Sequence, residues 1–253
     1  MSRIKAVFFD QDGVIIDTER DGHRISFNMT FKEFGFTDEW SVEYYHELLQ
    51  IGGGKERMKH HWKTKGFSKP MTEEEIDKLI PEMHKRKTAL FVELIEAGKL
   101  PLRPGIHRFM KEAMEAGLRT AVCTTSNEQT AKAITEKALA DIKFDLVLAG
   151  DVVSKKKPDP EIYNLALSKL GLKPDEAFVI EDSKNGVAAS KAAGIKTVVT
   201  TNGYTESEDV SAGDVIVTCL GDPKGEKAIL RKGNIKGFDG VIHVRPLMDL
   251  FSK

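Results

Sequence analysis

Two aspartates separated by a single residue close a short apolar run near the N-terminus, in Phe8-Phe9-Asp10-Gln11-Asp12-Gly13-Val14. Carboxylates this close repel each other unless a cation or a phosphoryl group joins them. In such a pairing one acid can be nucleophile and metal ligand, and its neighbour a general acid and base. Gly13 permits the sharp backbone turn that would expose both. Taken alone, the motif reads equally as a solvated Asp-x-Asp-Gly turn.

Three further stretches carry compatible chemistry. Thr124-Thr125-Ser126-Asn127 offers hydroxyls and backbone N–H groups where a helix would begin, a place that suits phosphate as well as a plain helix cap. In Lys155-Lys156-Lys157-Pro158-Asp159-Pro160, a lysine held just before proline can neutralise a nucleophilic carboxylate and a transferring phosphoryl group. Lys155 and Lys156 read as a solvated basic loop. Val179-Ile180-Glu181-Asp182-Ser183 supplies hard oxygen ligands of the kind Mg²⁺ prefers, although Asp182 could serve only as a helix N-cap.

These stretches need elements to hold them. Short apolar runs predict strands over Ala6–Asp10, Leu118–Thr125, Phe144–Gly150, Ala177–Asp182 and Lys196–Thr201. Helical patterns lie between them at Gly105–Ala116, Asn127–Leu139, Pro160–Leu170 and Asn185–Ala193, three of them followed by Gly117, Gly171 and Gly194. The alternation predicts an α/β fold, a doubly wound parallel sheet whose ligands bind at the carboxyl ends of its strands. All four stretches fall at such ends, in order.

Residues 19–100 carry no strand-like run. Helical patterns near Gly22–Phe34, Val42–Leu49, Lys55–Lys65 and Thr72–Ala97 predict an all-helical insertion, with Leu100-Pro-Leu-Arg-Pro104 as the return linker. The expected division is therefore 1–16 with 101–253 as the α/β core and 17–100 as a small helical cap. Gly221–Gly240 reads as a polar loop, followed by a strand at Val241–Val244 and a helix at Leu247–Phe251.

The chain has 253 residues, enough to bury a sizeable core in one or two domains. With 38 basic and 39 acidic residues its net charge is -1, which gives no electrostatic case for nucleic acid as a partner. Two cysteines, Cys123 and Cys219, make no disulfide framework and fit a reducing compartment. No stretch approaches the roughly 20 apolar residues that span a bilayer, and the first ten residues do not resemble a signal peptide. The expected location is cytoplasmic, with no membrane partner.

The ordered set of motifs resembles the haloacid dehalogenase superfamily of phosphotransferases over essentially the whole chain. The insertion is similar to the family's small cap, and the chain resembles the β-phosphoglucomutase-like subfamily. Asp17-Thr-Glu-Arg-Asp-Gly-His-Arg-Ile-Ser-Phe-Asn28, Ile51-Gly-Gly-Gly-Lys-Glu-Arg-Met58 and Ala149-Gly-Asp-Val-Val-Ser-Lys-Lys-Lys-Pro-Asp-Pro160 resemble the CbbY-type xylulose-1,5-bisphosphate phosphatases within it. The resemblance implies Asp10 as the nucleophile that becomes an aspartyl-phosphate, Asp12 as general acid and base, and Lys157 as the motif lysine. It implies Thr124, with Ser126 and Asn127 nearby, as phosphate ligands. It implies Mg²⁺ held by Asp10, Glu181 and Asp182 with the backbone carbonyl of Asp12. The implied partner is a small phosphorylated sugar.

Cap residues should choose that sugar. Glu19 and His23 lie just beyond the first strand, and Gly52-Gly-Gly-Lys55-Glu-Arg57 can expose backbone N–H groups and two cations to a second phosphate. The alternatives are hinge-side surface polars and a helix start after a flexible turn. His60 and His61 are adjacent, do not share a helical face, and read as structural or surface residues. A mutase of the β-phosphoglucomutase type stays open, since only the acceptor of the phosphoryl group differs. A non-catalytic sugar-phosphate-binding regulator is the rival of a different class, and the intact set of acids and lysine argues against it. A dehalogenase has no need of Asp12, and a receiver-type domain has no need of the helical insertion.

Overall fold

A continuous apolar run has no polar face to offer water, so it must be covered on both sides. All of β1 (Ala6–Phe9) is buried, as are β4 (Ala177–Glu181) and most of β2 (Arg119–Cys123) and β5 (Lys196–Thr200). The structure, a computed structural model, describes residues 4–51, 53–150 and 152–252. It divides into two compact units, Met1–Asp17 with Pro101–Lys253, and Thr18–Leu100.

In the first unit β3 (Leu146–Leu148), β6 (Val215–Val217) and β7 (Leu230–Lys232) complete a sheet of order β3-β2-β1-β4-β5-β6-β7. Every pairing is parallel except β6–β7. The chain leaves β1 toward β2 and β3 and returns to β4 on the other side, so the order reverses at β1, where open sheets of this kind open a crevice. The register pairs Phe9 with Val122 and with Ile180. One residue further, Asp10 stands level with Cys123 and Glu181.

The strands end one or two residues earlier than their sequence patterns suggest, because the last residues turn out of the sheet into the loops. Val215–Val217 and Leu230–Lys232 were not expected as strands; three residues are too few to show a period. The expected strand Val241–Val244 is not one: Val244 opens a helix, Val244–Phe251, whose first turn holds Pro246, a residue suited to a helix start and not to a ladder. The polar segment Gly221–Gly240 is not all loop, since it contains the antiparallel edge strand β7. The helical stretch from Asn127 begins as an α-helix, Glu128–Ala133, and continues as a π-helical turn, Ile134–Ala138.

The second unit is helical. A π-helical turn, Thr18–His23, runs into α1 (Arg24–Glu33), followed by α2 (Val42–Leu48), α3 (Gly54–Thr64) and α4 (Glu73–Glu96). Thr72 and Glu75 cap α4 reciprocally, which fixes its start. The core is aromatic: Phe27, Phe31, Trp40 and Tyr45 are fully buried, with Phe27 and Phe31 ring centroids 4.7 and 4.9 Å from Trp40. His61 is buried among them, bonded to the Tyr44 hydroxyl at 3.0 Å and to Asp38 at 3.3 Å, whereas His60 is exposed. His61 is thus a structural residue. Among the described residues no helix is long and apolar enough to cross a membrane.

Candidate active site

Parallel strands end in loops on one edge, and three of those loops bring the acidic cluster and its lysine together. Asp10 follows β1, Glu181 ends β4 and Asp182 follows it. One oxygen of each lies within 4.8 Å of the others, and all three residues are buried. Lys157 reaches in from the loop after β3. Its ammonium is 2.5 Å from Asp10 Oδ1, 2.7 Å from Glu181 Oε1 and 3.0 Å from the Cys123 carbonyl, so each of its three N–H bonds has an acceptor.

Three buried carboxylates against one ammonium leave an excess of two negative charges. The energetics follow from that imbalance. Burial lifts the Asp10 carboxyl to about 7; Lys157 pulls it down, and the Glu181 and Asp12 charges push it up again. Burial, reinforced by Glu181 and Asp10, holds Asp182 well above the usual carboxylate range, against the opposing charge of Arg103 and a hydrogen bond from Asn202. Burial alone would discharge Lys157, but Asp10 and Glu181 outweigh it and hold the ammonium well above its ordinary value. A buried site of oxygen donors in which carboxyl groups outnumber the ammonium by two fits a divalent hard cation such as Mg²⁺.

Asp12 is placed differently. Its Oδ2 accepts hydrogen bonds from Ser126 Oγ at 2.5 Å and Thr124 Oγ1 at 3.2 Å, and its side chain is not part of the three-carboxylate cluster. Thr124 Oγ1 in turn accepts from the Ser126 N–H, which ties the loop after β2 to the second acid. Asn127 does not join them. It is exposed, and its side-chain oxygen caps the following helix through the Thr130 N–H. Thr125, which the sequence pattern did not distinguish from its neighbours, lines a cavity of about 240 Å³ with Asp10, Asp12, Lys157, Asp182, Ser183 and Asn185. Lys155 and Lys156 are exposed.

Several supporting residues were not visible in the sequence. Asn202, just after β5, donates to Asp182 Oδ2 at 2.8 Å. Arg103, in the return linker, donates to the carbonyls of Gly13, Thr200, Thr201 and Thr218 and so ties the acid turn to the ends of β5 and β6. Gly13 has φ +83°, and a Cβ there would collide with the Asp182 carboxylate. Gly186, in the helix Lys184–Ala192, has its Cα against the Glu181 carboxylate, where any side chain would collide. Gln11, between the two acids, is fully buried, and neither polar atom of its side chain has a hydrogen-bond partner among the described residues.

The helical unit holds a second group of polar residues. Glu19 accepts from the Tyr45 hydroxyl at 2.7 Å. Arg57 Nη1 donates to the same hydroxyl at 3.3 Å, and its Nε donates to the Leu48 and Ile51 carbonyls. Lys87, on α4, is buried with its ammonium 2.7 Å from His23 Nδ1 and 4.8 Å from the centre of the Phe27 ring. Burial lowers Lys87 to about 8, with Glu19 opposing and Arg57 adding to the fall. Burial, then the charges of Lys87, Arg57 and His84, hold His23 well below its ordinary value, so Nδ1 accepts the lysine proton. Lys55 is exposed on the first turn of α3. Gly52, the first residue of the expected anion loop, lies outside the described residues, as does Asp151.

The family model of the haloacid dehalogenase-like hydrolases matches residues 4–194. A CBBY-like protein of Arabidopsis thaliana is 49% identical over 226 residues, which is 88% of this chain and 71% of that protein. The crystal structure of CbbY from Rhodobacter sphaeroides in complex with xylulose-1,5-bisphosphate is 37% identical, with a TM-score of 0.65 over 85% of this chain and 94% of that one. The structure of a putative β-phosphoglucomutase from Thermotoga maritima is 26% identical, with a TM-score of 0.66 over 84% of this chain and 93% of that one.

Proposed function

Because the chain belongs to the haloacid dehalogenase-like hydrolases, we propose that it is a Mg²⁺-dependent phosphatase of phosphorylated sugars that works through an aspartyl-phosphate on Asp10. The preferred substrate is a ketose bisphosphate such as xylulose-1,5-bisphosphate. The observation that carries the reading is the buried meeting of Asp10, Lys157, Glu181 and Asp182 at the reversal point of the sheet, with Asp12 two residues from the nucleophile. The CbbY likeness supports the choice of sugar. The free, buried thiols of Cys123 and Cys219 support a cytoplasmic location.

The mechanism follows from the placement of the groups. The Asp10 carboxylate forms a bond to phosphorus as the bond from phosphorus to the sugar oxygen breaks. Lys157 lies against Asp10 and neutralises charge on the phosphoryl oxygens as they approach it. Asp12 delivers a proton to the departing sugar oxygen. It then removes one from the water that attacks phosphorus, and the acyl-phosphate bond breaks to restore Asp10. Thr124 and Ser126 orient Asp12 through their hydroxyls, and Thr125 contributes to the wall of the phosphate cavity. Asp10, Asp182 and the Asp12 carbonyl would hold Mg²⁺, with Glu181 behind them; the ion would supply the positive charge that the excess of carboxylates calls for. Asn127 acts as a helix cap in this reading.

The helical unit supports a second anion. Burial lowers the proton affinity of Lys87, His23 and His84; Lys87 adds to the fall in both histidines, and Arg57 to that in Lys87 and His23. Such a group relaxes when an anion joins it. Glu19 and His23 would meet sugar hydroxyls, and Arg57, Lys55 and Lys87 a second phosphate. The test is phosphate release with Mg²⁺ from xylulose-1,5-bisphosphate, β-glucose-1-phosphate and an aryl phosphate in parallel. Selective release from the bisphosphate is expected. Conversion of β-glucose-1-phosphate to its 6-phosphate without release would establish the mutase instead. Arg57→Ala and Lys87→Met should each raise KM for the bisphosphate by about tenfold or more, as the loss of a charge-assisted contact does, and leave KM for the aryl phosphate within about twofold. Equal effects on both substrates would remove these residues from the second phosphate site.

A further inference from the structure

Tyr163 is fully buried in the helix Glu161–Leu170, inside an apolar cluster with Phe8, Cys123, Ile162 and Val179. A phenylalanine would fill that space as well. The hydroxyl is therefore the feature to account for: it donates to Glu181 Oε1 at 2.5 Å. The same oxygen accepts from Lys157 at 2.7 Å, and the lysine ammonium stands 5.0 Å from the centre of the Tyr163 ring. The other Glu181 oxygen accepts from the Asp182 N–H at 3.1 Å. Burial, then the Glu181 charge, keep the Tyr163 hydroxyl well above its ordinary value, so it stays a donor.

Glu181 is thus fixed from three sides. Tyr163 holds one oxygen, the backbone holds the other, and the bare Cα of Gly186 closes the remaining direction. Lys157 takes its position from Glu181 on one side and from Asp10 and the Cys123 carbonyl on the other. Without the tyrosine hydroxyl, Glu181 Oε1 keeps a single donor, the carboxylate is free to turn, and the ammonium follows it away from Asp10. We infer that Tyr163 is a positioning residue that holds Lys157 against Asp10 by fixing Glu181. The inference rests on the reading of Asp10 and Lys157 as the phosphoryl-transfer pair.

Tyr163→Phe removes one oxygen and keeps the ring. Turnover of the wild-type chain is measured first; failure at that step counts against the function and not against Tyr163. Given turnover, Tyr163→Phe should lower kcat about tenfold, the size expected for one hydrogen bond to a charged group, with KM within about twofold, because the sugar contacts are untouched. Affinity for beryllium fluoride with Mg²⁺, an aspartyl-phosphate mimic read by calorimetry, should fall by a similar factor. In a Glu181→Ala background the same substitution should change kcat by less than about twofold, since a residue acting only through the Glu181 carboxylate has nothing left to position there. p-Aminophenylalanine at 163, which restores a donor, should recover most of the loss. A kcat within twofold of wild type in Tyr163→Phe, or an undiminished loss in the Glu181→Ala background, would overturn the inference. If Tyr163→Phe does not fold, p-fluorophenylalanine at 163, which fills the space of the hydroxyl but cannot donate, decides in the two backgrounds by the same comparison.

Discussion

Asp10→Asn should abolish turnover, with kcat reduced by at least about a thousandfold, the scale on which removal of a covalent nucleophile acts. The substitution is nearly isosteric and removes one of three crowded buried charges. Burial and the neighbouring carboxylates already raise the Asp10 carboxyl to about 7, so the folded protein does not depend on that charge for its stability. Asp10→Asn should therefore fold and melt at or above the wild-type temperature in the absence of Mg²⁺. Phosphate release at saturating substrate and a thermal melt check the two halves. A variant that retained a tenth of wild-type turnover would remove Asp10 from the chemistry. One that lost turnover only because it unfolded would leave the role of Asp10 to the neighbouring charge-conserving change, Asp10→Glu.

The second large effect is expected at a residue with no functional group. Gly186→Ala in an exposed helix would stabilise by about 1 kcal/mol through helix propensity alone. Here the sign should reverse. The new methyl group would meet the carboxyl group of Glu181. Glu181 has no room to retreat, because Lys157 and Tyr163 hold one oxygen and the Asp182 N–H the other. Overpacking of this kind costs about 1–3 kcal/mol of stability. A displacement of about 1 Å at a catalytic group costs on the order of a hundredfold in rate, and Glu181 would carry Lys157 with it. Gly186→Ala should lower kcat about a hundredfold and lower the melting temperature, while the neighbouring Ala188→Ser, on the same helix, should do neither. Full activity in Gly186→Ala would show that Glu181 can move without consequence.

These two positions mark what the sequence could and could not convey. Asp10, Asp12, Lys157, Glu181 and Asp182 are legible because each is a reactive residue at the end of an apolar run, and a parallel sheet must place such ends on one edge. The order of the strands makes them meet. Tyr163, Gly186, Asn202 and Arg103 are not legible in that way. Each acts on the cluster through space, and none carries a local pattern that separates it from an ordinary core tyrosine, helix glycine or loop polar. Lys87 is hidden for a related reason: in the periodicity of α4 it occupies a core-facing position, and only the packed helices reveal His23 and two aromatic rings around it.

The fold shows the same division. Long, strongly periodic stretches such as Thr72–Ala97 appear within a residue of their expected limits, as Glu73–Glu96. The three-residue strands at the far edge do not, because their pairing with β5 and with each other is non-local. Asn127 and Ser126 show how neighbouring residues divide their roles. Ser126 and Asn127 are adjacent and chemically alike as phosphate ligands, but a helix start needs one cap, and Asn127 supplies it while Ser126 turns to Asp12.

The account stands on transfer of the phosphoryl group to Asp10, and the most direct measurement is to trap it there. Enzyme mixed with Mg²⁺ and substrate, quenched in acid and reduced with borohydride, converts an aspartyl-phosphate to homoserine, which mass spectrometry locates. Homoserine at position 10, absent without substrate and absent in Asp10→Asn, is the predicted result. Release of phosphate at full rate with an unmodified Asp10 at every quench time, or with the modification at Asp12 or Asp182, would contradict the account.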